Sequence, residues 1–581
     1  MKNAELADMF SCIADMLEIL GEDPFRVGSY RRAAVALVEL NTPVENLAAS
    51  GGLQDVPGIG KSMAGKIDEF LKTGHVAKYD DLLARVPPKL IGLTRLPGMG
   101  PKTAARLWRD ASIDSVEQLR EVLSNQPQRI LCLKGMGEKK IQQMMASLAF
   151  VDGTGNRIRL GEADALAVAL SAAMSSAGAS RVIPAGSLRR GRETVGDIDL
   201  LCEASAGKAV ALTAAFTKVP MVLRVLGQGD TKASVMLGKS VQADLRVVDP
   251  ESFGSALMYF TGSKDHNVRL RELAIKKGWK LNEYGLFEGD GALAGRTEQE
   301  IYEKLGMPYI PPEIREDHGE IQAALEGRLP RLVGLEDIAG DFHMHTVASD
   351  GANTIDEMIN AGRNLGYRVM AITDHSKSQH QANGLDEVRL QDHVAAIRKA
   401  ATRYTDIVVL AGCEVDILKD GSLDFEPQTL AMLDIVVASP HAALTASREE
   451  ATSRLIKAIE NPYVDMIGHP TGRIVNTRPG LEVDIEAVAR AAAKRGVALE
   501  INAHFARLDL RDSHVRAALE LGASIVINSD AHSIAELNMM KYGVTTARRG
   551  WATKDNIVNC WSVQRLREWL NRPSRAGKLP G

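Results

Sequence analysis

The second half of the chain alternates short apolar runs with stretches of helical periodicity. Seven apolar runs between residues 341 and 532 each end at a histidine, a carboxylate or an asparagine, at intervals of roughly 27 to 40 residues. Stretches such as TIDEMINAGRNLG and IEAVARAAAKRG, which lie between the runs, repeat apolar residues at helical spacing. Strand–helix repetition of this period predicts parallel β/α units that close into a barrel.

The polar residues that end these runs are predicted to meet in one pocket, because the carboxyl ends of barrel strands converge. The runs are DFHMH, VMAITDH, IVVLAGCE, DIVVASPH, DMIGH, VALEIN and SIVINSDAH. Taken alone, the H-x-H of DFHMH also fits a half-buried strand with two satisfied polar residues, since alternate side chains of a strand share a face. The expected pocket residues are His343, His345, Asp350, His375, Glu414, His441, His469, Asp530 and His532.

Six histidines and three carboxylates exceed the four ligands of one tetrahedral zinc ion. The pocket is therefore expected to hold two to three divalent metals of a kind that accepts both ligand types, namely zinc, manganese or iron. Such a cluster activates water and holds a phosphate. The remaining histidines of this half do not sit at the recurring position and are expected to be solvated or structural: His380, His393, His504 and His514.

A second group of carboxylates lies in the middle of the chain. Asp197 and Asp199 are two residues apart in an apolar strand pattern, and Asp244 lies on a further strand, VQADLRVV. Three carboxylates on neighbouring strands can hold two divalent metals about 4 Å apart, the arrangement that in-line phosphoryl transfer uses. The preceding GSLRRG supplies Gly186, Ser187 and the guanidinium of Arg190 for phosphate oxygens.

Three glycine-containing segments repeat in the first third of the chain: VPGIGKSMAGKI, LPGMGPKTAARL and LKGMGEKKIQQM. A G-x-G turn before a helix presents backbone amides to a phosphate, so these turns are expected to hold a nucleic-acid backbone without reading its sequence. Residues 51 to 150 carry 15 Lys and Arg against 10 Asp and Glu, although the whole chain has a net charge of -4. The expected DNA contacts are Gly58, Gly60, Lys61, Gly98, Gly100, Lys102, Gly135, Gly137 and Lys139.

Length and composition indicate a multidomain protein of 581 residues with 45% hydrophobic and 25% charged residues. The first residues, MKNAELADMF, lack the apolar run of a signal peptide, so a cytoplasmic location is expected, with no membrane partner. The five cysteines form no C-x-x-C pair and are expected to be reduced.

These motifs resemble known families. The glycine segments resemble helix-hairpin-helix motifs, and YFTGSKDHNVRLRELA narrows the resemblance of the carboxylate region to family X DNA polymerases. That resemblance implies magnesium or manganese on Asp197, Asp199 and Asp244. It also implies a lyase lysine at Lys66, near Tyr30. The implied nucleotide contacts are Ser187, Arg190, Gly196, Tyr259, Phe260, Gly262, Asn267 and Arg271.

The C-terminal half resembles the PHP (polymerase and histidinol phosphatase) domain, a distorted (β/α)7 barrel, and its nine pocket residues fill the metal positions of that domain. Arg473 is a further candidate for contact with a substrate phosphate. The expected fold is an all-α helix-hairpin-helix region followed by an α/β nucleotidyltransferase palm, a thumb and this barrel. The expected boundaries are 1–85 for a lyase-like domain, 86–150 for helical fingers, 151–250 for the palm, 251–330 for the thumb, 331–340 for a linker and 341–581 for the barrel.

Together the resemblances identify the chain as a bacterial family X DNA polymerase with a PHP domain. The expected function is filling of short gaps in base excision repair, with 3′-5′ exonuclease or 3′-phosphoesterase activity and a further abasic-site endonuclease or lyase activity. The expected partners are gapped or nicked DNA and dNTPs, and a monomer is expected. The alternatives are a histidinol-phosphatase-like enzyme for small molecules, with a vestigial polymerase region, and a DNA-binding scaffold with decayed catalytic sites.

Overall fold

The computed structural model describes residues 2–39, 44–56, 58–96, 99–133, 135–154, 157–205, 207–238 and 241–576. The chain divides into two compact units, Met1–Gly155 and Asn156–Gly581. Within the described residues, no helix combines the length and apolar character needed to cross a membrane.

The first unit is helical. Its short helices pack around one apolar core that contains Phe10, Ile67 and Leu107. Its helices are α1 (Lys2–Leu20), α2 (Pro24–Glu39), α3 (Val44–Ser50), α4 (Lys61–Thr73), α5 (Ala77–Leu83), α6 (Ile91–Thr94), α7 (Pro101–Ala111), α8 (Val116–Asn125), α9 (Gln128–Leu131) and α10 (Glu138–Thr154).

The second unit begins with a part that we call the sheet domain, which contains a five-stranded sheet of order β2-β4-β7-β6-β5. Buried and partly exposed residues alternate along β7, as expected for a strand with one face on a core. The elements of this part are β1 (Ile158–Arg159), α11 (Leu160–Ser176), β2 (Arg181–Pro184), α12 (Gly186–Arg189), β3 (Thr194–Val195), β4 (Asp197–Glu203), α13 (Ala209–Phe216), β5 (Val222–Gln228), β6 (Lys232–Leu237) and β7 (Val241–Val248).

A smaller part follows, which we call the thumb-like subdomain. It is built around a three-stranded antiparallel sheet of order β10-β9-β8. Its fully buried Arg315 donates to Glu298 at 2.6 Å, and Arg189 of α12 donates to the other oxygen of the same carboxylate at 2.6 Å. The Glu298 carboxylate therefore links the subdomain to α12, which precedes it in the chain. The elements are α14 (Phe253–Thr261), α15 (Lys264–Lys276), β8 (Lys280–Asn282), β9 (Gly285–Glu288), β10 (Gly291–Ala294), α16 (Glu298–Leu305) and α17 (Glu320–Leu325).

The last part is a seven-stranded parallel sheet whose strands pair in chain order, with helices between most of them. Strands β12 and β14 are buried along their whole length, because helices cover one face and the barrel interior covers the other. The strands are β11 (Gly340–Asp341), β12 (Val369–Ile372), β13 (Val408–Asp416), β14 (Ile435–Ser439), β15 (Met466–Ile467), β16 (Ala498–Asn502) and β17 (Ile525–Asn528). The helices are α18 (Ile355–Asn364), α19 (Glu387–Ala401), α20 (Pro427–Leu430), α21 (Arg448–Glu460), α22 (Ile485–Arg495), α23 (Asp512–Glu520), α24 (Met540–Arg549) and α25 (Val563–Leu570).

The barrel is nearly closed. Beyond the last strand, Asp530 donates its backbone N–H to the carbonyl of His343 at 3.0 Å, and His345 donates to the carbonyl of Ala531 at 2.8 Å. The predicted seven-unit parallel barrel is therefore confirmed. The segment expected as a linker is packed on the barrel, because Val333 and Ile338 belong to the barrel core.

Candidate functional sites

The first glycine turn precedes α4 and borders a groove of about 540 Å³. Gly58 has a φ of +93°, and a Cβ there would lie 3.1 Å from the carbonyl oxygen of Arg32, so the turn requires glycine. Gly60 is the residue before α4, and the exposed Lys61 begins that helix. The helix N-terminus, Lys61 and Arg32 line the groove, an arrangement suited to a phosphate.

The other two turns also lead into helices. Gly100 immediately precedes α7, and Lys102 in its first turn is exposed. Gly135 has a φ of +79°, and the carbonyl of Gly137 accepts the backbone N–H of Lys140 at 2.9 Å as α10 begins. Lys139 is exposed, whereas Gly98 lies outside the described residues.

Lys66 lies on α4 against Tyr30, with its Nζ 5.7 Å from the centre of the tyrosine ring. The ammonium donates to the hydroxyl of Ser62 at 3.0 Å. Burial lowers the pKa of Lys66, which increases the fraction of neutral amine available as a nucleophile.

The middle carboxylates meet because β4 and β7 run parallel with Asp199 directly opposite Asp244. Asp197 lies one pleat before Asp199 on the same face, and oxygens of the three carboxylates approach within 4.8 Å of one another. Burial, followed by the charges of Asp197 and Asp244, raises the pKa of Asp199 to about 7. Three carboxylates crowded in this way fit divalent cations, which offset their repulsion.

Two side chains orient Asp244, one from its own strand β7 and one from the neighbouring strand β6. Gln242 donates its amide N–H to one oxygen at 2.7 Å, and Ser234 of β6 donates its hydroxyl to the other. The Asp244 carboxylate is therefore held in place before any cation binds.

Most of the predicted nucleotide contacts line one cleft of about 590 Å³ beside Asp197 and Asp199. The hydroxyl of Ser187 and the side-chain oxygen of Asn267 are buried there without a hydrogen bond, so both remain available to a ligand. Gly196 flanks the cleft, where a Cβ would lie 3.0 Å from a guanidinium nitrogen of Arg157. The predicted residues that line the cleft are Ser187, Arg190, Tyr259, Phe260, Gly262, Asn267 and Arg271.

Four further charged residues line the same cleft and were not predicted from the sequence: Arg157, Arg192, Lys264 and Glu316. Arg192 and Lys264 lie within two residues of predicted contacts in the sequence, and this proximity could have identified them. Glu316 reaches the cleft from the distant end of the thumb-like subdomain, so no local pattern could have identified it.

The barrel brings all nine predicted pocket residues together. They form three groups, each with side-chain N or O atoms within 4.8 Å of one another; one group shares His345 with the second and His375 with the third. His469 joins them through its Nε2, which lies 3.0 Å from the Glu414 carboxylate. The groups are His345, Asp350, His375 and His532; His343, His345 and Asp530; and His375, Glu414 and His441.

The donor set of this pocket fits a cluster of cations. Among the described residues, several buried side-chain atoms that lack a hydrogen bond collect here: His343 Nε2, His345 Nδ1, His375 Nδ1, Glu414 Oε2 and His469 Nδ1. His375 Nδ1 and Glu414 Oε2 lie 2.7 Å apart without hydrogen-bond geometry. Although burial lowers the pKa of His375, the Glu414 and Asp350 carboxylates raise it to about 10, so the site attracts positive charge.

A second layer of carboxylates orients the histidines. Glu500 lies 2.8 Å from Nδ1 of His343, and Asp416 lies 2.6 Å from Nδ1 of His441. Neither carboxylate was predicted, although each is two residues from a polar strand end and therefore on the same face of its strand. Asp374 holds His393 at 2.8 Å, in agreement with the structural role expected for that histidine.

Arg473, the further candidate for contact with a substrate phosphate, has other partners in the structure. Its guanidinium is buried, donates to the carbonyl of Leu508 and pairs with Glu193 of the sheet domain at 2.7 Å. Arg507 instead approaches the pocket, with its Nε 3.5 Å from the Asp530 carboxylate.

A sheet with three crowded carboxylates, followed on one chain by a barrel with nine clustered histidines and carboxylates, is typical of a class of protein with two centres for phosphate chemistry. Family models agree with this division. A helix-hairpin-helix domain matches residues 1–76, and a helix-hairpin-helix tandem matches 50–109 and 90–149. The DNA polymerase beta thumb matches residues 256–316, and the PHP domain matches residues 341–504.

Among curated proteins, the chain is 36% identical over 579 residues to the DNA polymerase/3′-5′ exonuclease PolX of Bacillus subtilis (strain 168), covering 98% of this chain and all of that protein. The chain therefore belongs to the PolX family. DNA polymerase lambda of Rattus norvegicus is 27% identical over 54% of this chain and 56% of its own length. A protein named a probable phosphatase, from Shewanella sp. (strain MR-4), is 32% identical over 38% of this chain and 86% of its own length.

Proposed function

We propose that the chain is a DNA-directed DNA polymerase with a 3′-5′ exonuclease on its C-terminal barrel. The observation that carries the polymerase is the cleft in which Ser187, Arg190 and Asn267 surround the carboxylates of Asp197 and Asp199. Family membership supports both activities, since the Bacillus relative is named for both and matches over its whole length.

In the polymerase site, Asp197, Asp199 and Asp244 would hold magnesium or manganese. Such ions lower the pKa of a 3′-hydroxyl and offset charge on the triphosphate. Arg190 and the Ser187 hydroxyl would bind phosphate oxygens, and Tyr259, Phe260 and Gly262 would face the sugar. Asn267 and Arg271 lie four residues apart on α15, so both project from one face of that helix. Asn267 would contact the incoming base, and Arg271 would contact the template strand.

In the barrel site, the nine pocket residues would hold two or three ions of zinc, manganese or iron. These ions supply an activated water and a clamp on the phosphate that is cleaved. The substrate we assign is the 3′ end of a DNA strand, because the same chain extends such ends.

One experiment separates the two sites. A labelled primer on gapped DNA is incubated with manganese, with and without dNTPs, and with wild type, Asp197→Ala or His343→Ala. We expect Asp197→Ala to abolish extension and spare 3′ degradation, and His343→Ala to do the reverse. Loss of both activities in Asp197→Ala would contradict the two-site assignment.

The physiological substrate we propose is gapped or nicked DNA of the kind formed in base excision repair, in the bacterial cytosol. The three glycine turns support this proposal, because they offer backbone contacts that do not depend on sequence. Extension rates on short gaps and on open templates test it, and faster extension of the open template would contradict it.

We also propose that Lys66 is a lyase nucleophile at abasic sites. Its lowered pKa and its position against Tyr30 support this role. Borohydride should trap wild type on DNA with a 5′-deoxyribose phosphate, and Lys66→Ala should lose the adduct. Lys72→Ala, which removes an exposed lysine from the same helix, should retain it, and equal trapping of both variants would overturn the assignment.

A further inference from the structure

The turn that follows Arg190 is packed against helix α24 of the barrel domain. Gly191 has a φ of +65°, and a Cβ at this position would collide with the side chain of Thr545 on α24. Arg549, at the end of the same helix, donates from Nη1 to the backbone carbonyl of Arg190 at 2.7 Å. Helix α24 of the barrel domain therefore contacts the backbone at Arg190 and Gly191, next to the proposed nucleotide site.

Arg549 also shares a carboxylate with Arg190. The Oε1 atom of Glu316 accepts from Nη1 of Arg549 at 3.0 Å and from Nε of Arg190 at 3.1 Å. The exposed Arg192 lies farther from that atom, at 3.6 Å. Asp512 of the barrel fixes the other end of Arg549, accepting from its Nε at 2.8 Å.

We propose that Arg549 is a positioning residue for nucleotide binding: it anchors the backbone of Arg190 and shares the charge of Glu316, which weakens the hold of Glu316 on the Arg190 guanidinium and favours binding of that guanidinium to the triphosphate. The inference rests on the proposed contact between Arg190 and the triphosphate. It gives the barrel domain a role in the polymerase reaction that is separate from its own metal site.

The charges around Glu316 explain the expected effect. The side chains of Arg549 and Glu316 are 5% and 12% exposed, so water screens their interaction weakly. Without Arg549, Glu316 would have Arg190 and Arg192 as its partners, and its pair with Arg190 would tighten. A triphosphate would then compete for the guanidinium with a stronger pair than the one present in the wild type.

The test is Arg549→Met in the full-length protein, with single-nucleotide extension measured over a range of dNTP concentrations. We expect the KM for dNTP to rise about tenfold while kcat stays within about threefold, the pattern of a lost binding interaction. Exonuclease activity should be unchanged, which shows that the barrel is folded. An unchanged KM would overturn the proposal.

Arg548→Met is the matched control. Arg548 also joins the barrel to the thumb-like subdomain, since it donates to Glu313 at 2.8 Å and to the carbonyl of Val333 at 2.9 Å. Neither of these hydrogen bonds involves Arg190. We expect this variant to retain the wild-type KM for dNTP. An equal rise in both variants would mean that general loosening of the interface is responsible and would overturn the proposal.

Two rescue variants distinguish positioning from a structural role. Arg549→Lys keeps the charge and should recover part of the KM change. Glu316→Gln, introduced into Arg549→Met, removes the competing carboxylate and should bring the KM to within about threefold of wild type. A KM that stays raised in the double variant would overturn the neutralising role of Arg549.

Arg190→Met separates this inference from the proposed function. If it leaves the KM for dNTP unchanged, the assignment of Arg190 to the triphosphate fails. If it raises that KM and Arg549→Met does not, the positioning role alone fails.

Discussion

One oxygen of the Glu500 carboxylate lies 2.8 Å from Nδ1 of His343 and also accepts from Asn528 at 2.8 Å. The other oxygen accepts the backbone N–H of His469 at 2.6 Å. A single buried carboxylate therefore orients two of the proposed metal ligands. It also fixes the proton of His343 on Nδ1, which leaves Nε2 free to bind a cation.

Glu500→Gln should weaken metal binding at the barrel. Whichever way the glutamine amide is turned, its NH2 group would face a hydrogen-bond donor, either those of His343 and Asn528 or the backbone N–H of His469. Loss of such a partner commonly costs about 10- to 100-fold in metal affinity. We expect the manganese concentration for half-maximal 3′ degradation to rise by that factor while extension of a gapped primer is unchanged. Glu520→Gln, on the exposed face of α23, is the control. An unchanged manganese requirement in Glu500→Gln would contradict the orienting role.

Gly186→Ala should inactivate the polymerase site. Gly186 has a φ of +60°, and a Cβ there would collide with a carboxylate oxygen of Asp199. Displacing this proposed metal ligand should lower extension by about 100-fold or more, since catalysis depends strongly on ligand geometry. Degradation of the 3′ end should be retained.

Gly178→Ala provides the control for backbone strain. Gly178 has a φ of +100°, and no atom lies within 4 Å of a Cβ placed there. This variant carries the cost of a left-handed alanine without a collision, and it should extend a primer at nearly the wild-type rate. Equal loss of extension in the two variants would show that strain, and not displacement of Asp199, is responsible.

The parts of this molecule that could be predicted from the sequence are those that local pattern determines. Apolar runs that end in His375 or Glu414 imply strand ends, and parallel strands bring their ends together. Asp197 and Asp199 share a face for the same reason of strand periodicity.

The contacts between the sheet domain and the barrel could not be predicted, because they join residues far apart in the sequence. Leu508 and Tyr542 of the barrel domain belong to the core of the sheet domain, and Phe505 packs against Gly161. Arg473 belongs to the same contact region, because its side chain pairs with Glu193. The sequence around Arg473 and Arg507 does not indicate that Arg507 is the one that approaches the pocket.

The stability of the protein in acid should depend on Glu298. Burial raises the pKa of this carboxyl, but Arg315 and Arg189 outweigh burial and lower the pKa from 4.5 to about 2. Because the folded-state pKa is the lower one, the ion pair stabilises the protein above about pH 4.5, and this contribution is lost as the pH falls toward 2.

Glu298→Gln should therefore destabilise the protein most at neutral pH. Breaking a buried pair typically costs about 3 to 5 kcal/mol. Between pH 7 and pH 3.5, we expect the difference in unfolding free energy between variant and wild type to shrink by about 1.4 kcal/mol, the equivalent of one pH unit. Urea unfolding at both pH values measures it, with Glu303→Gln on the exposed face of α16 as the control. A difference that does not change with pH would contradict the assigned ion pair.

Arg507 should bind the phosphate of the DNA end that the barrel degrades. Its side chain is 25% exposed, and its Nε lies 3.5 Å from Asp530, so the guanidinium borders the proposed metal ligands without being buried among them. A planar guanidinium suits a phosphate because it can donate two parallel hydrogen bonds.

Arg507→Met should weaken the binding of DNA in the degradation reaction. We expect the KM for DNA to rise by about tenfold, the equivalent of about 1.4 kcal/mol of binding. The manganese requirement should stay within about threefold of wild type, and extension of a gapped primer should not change. Arg516→Met, which removes an arginine from α23 on the same barrel, controls for the loss of one positive charge.

A DNA end that carries a neutral methylphosphonate at the linkage next to the cleaved one identifies the interaction. If Arg507 binds that phosphate, the neutral linkage should raise the wild-type KM for DNA to the value that Arg507→Met shows and leave the variant unaffected, because each change removes one partner of the same pair. If the manganese requirement of Arg507→Met rises as much as its KM for DNA, the residue acts by holding Asp530, and the phosphate contact is wrong.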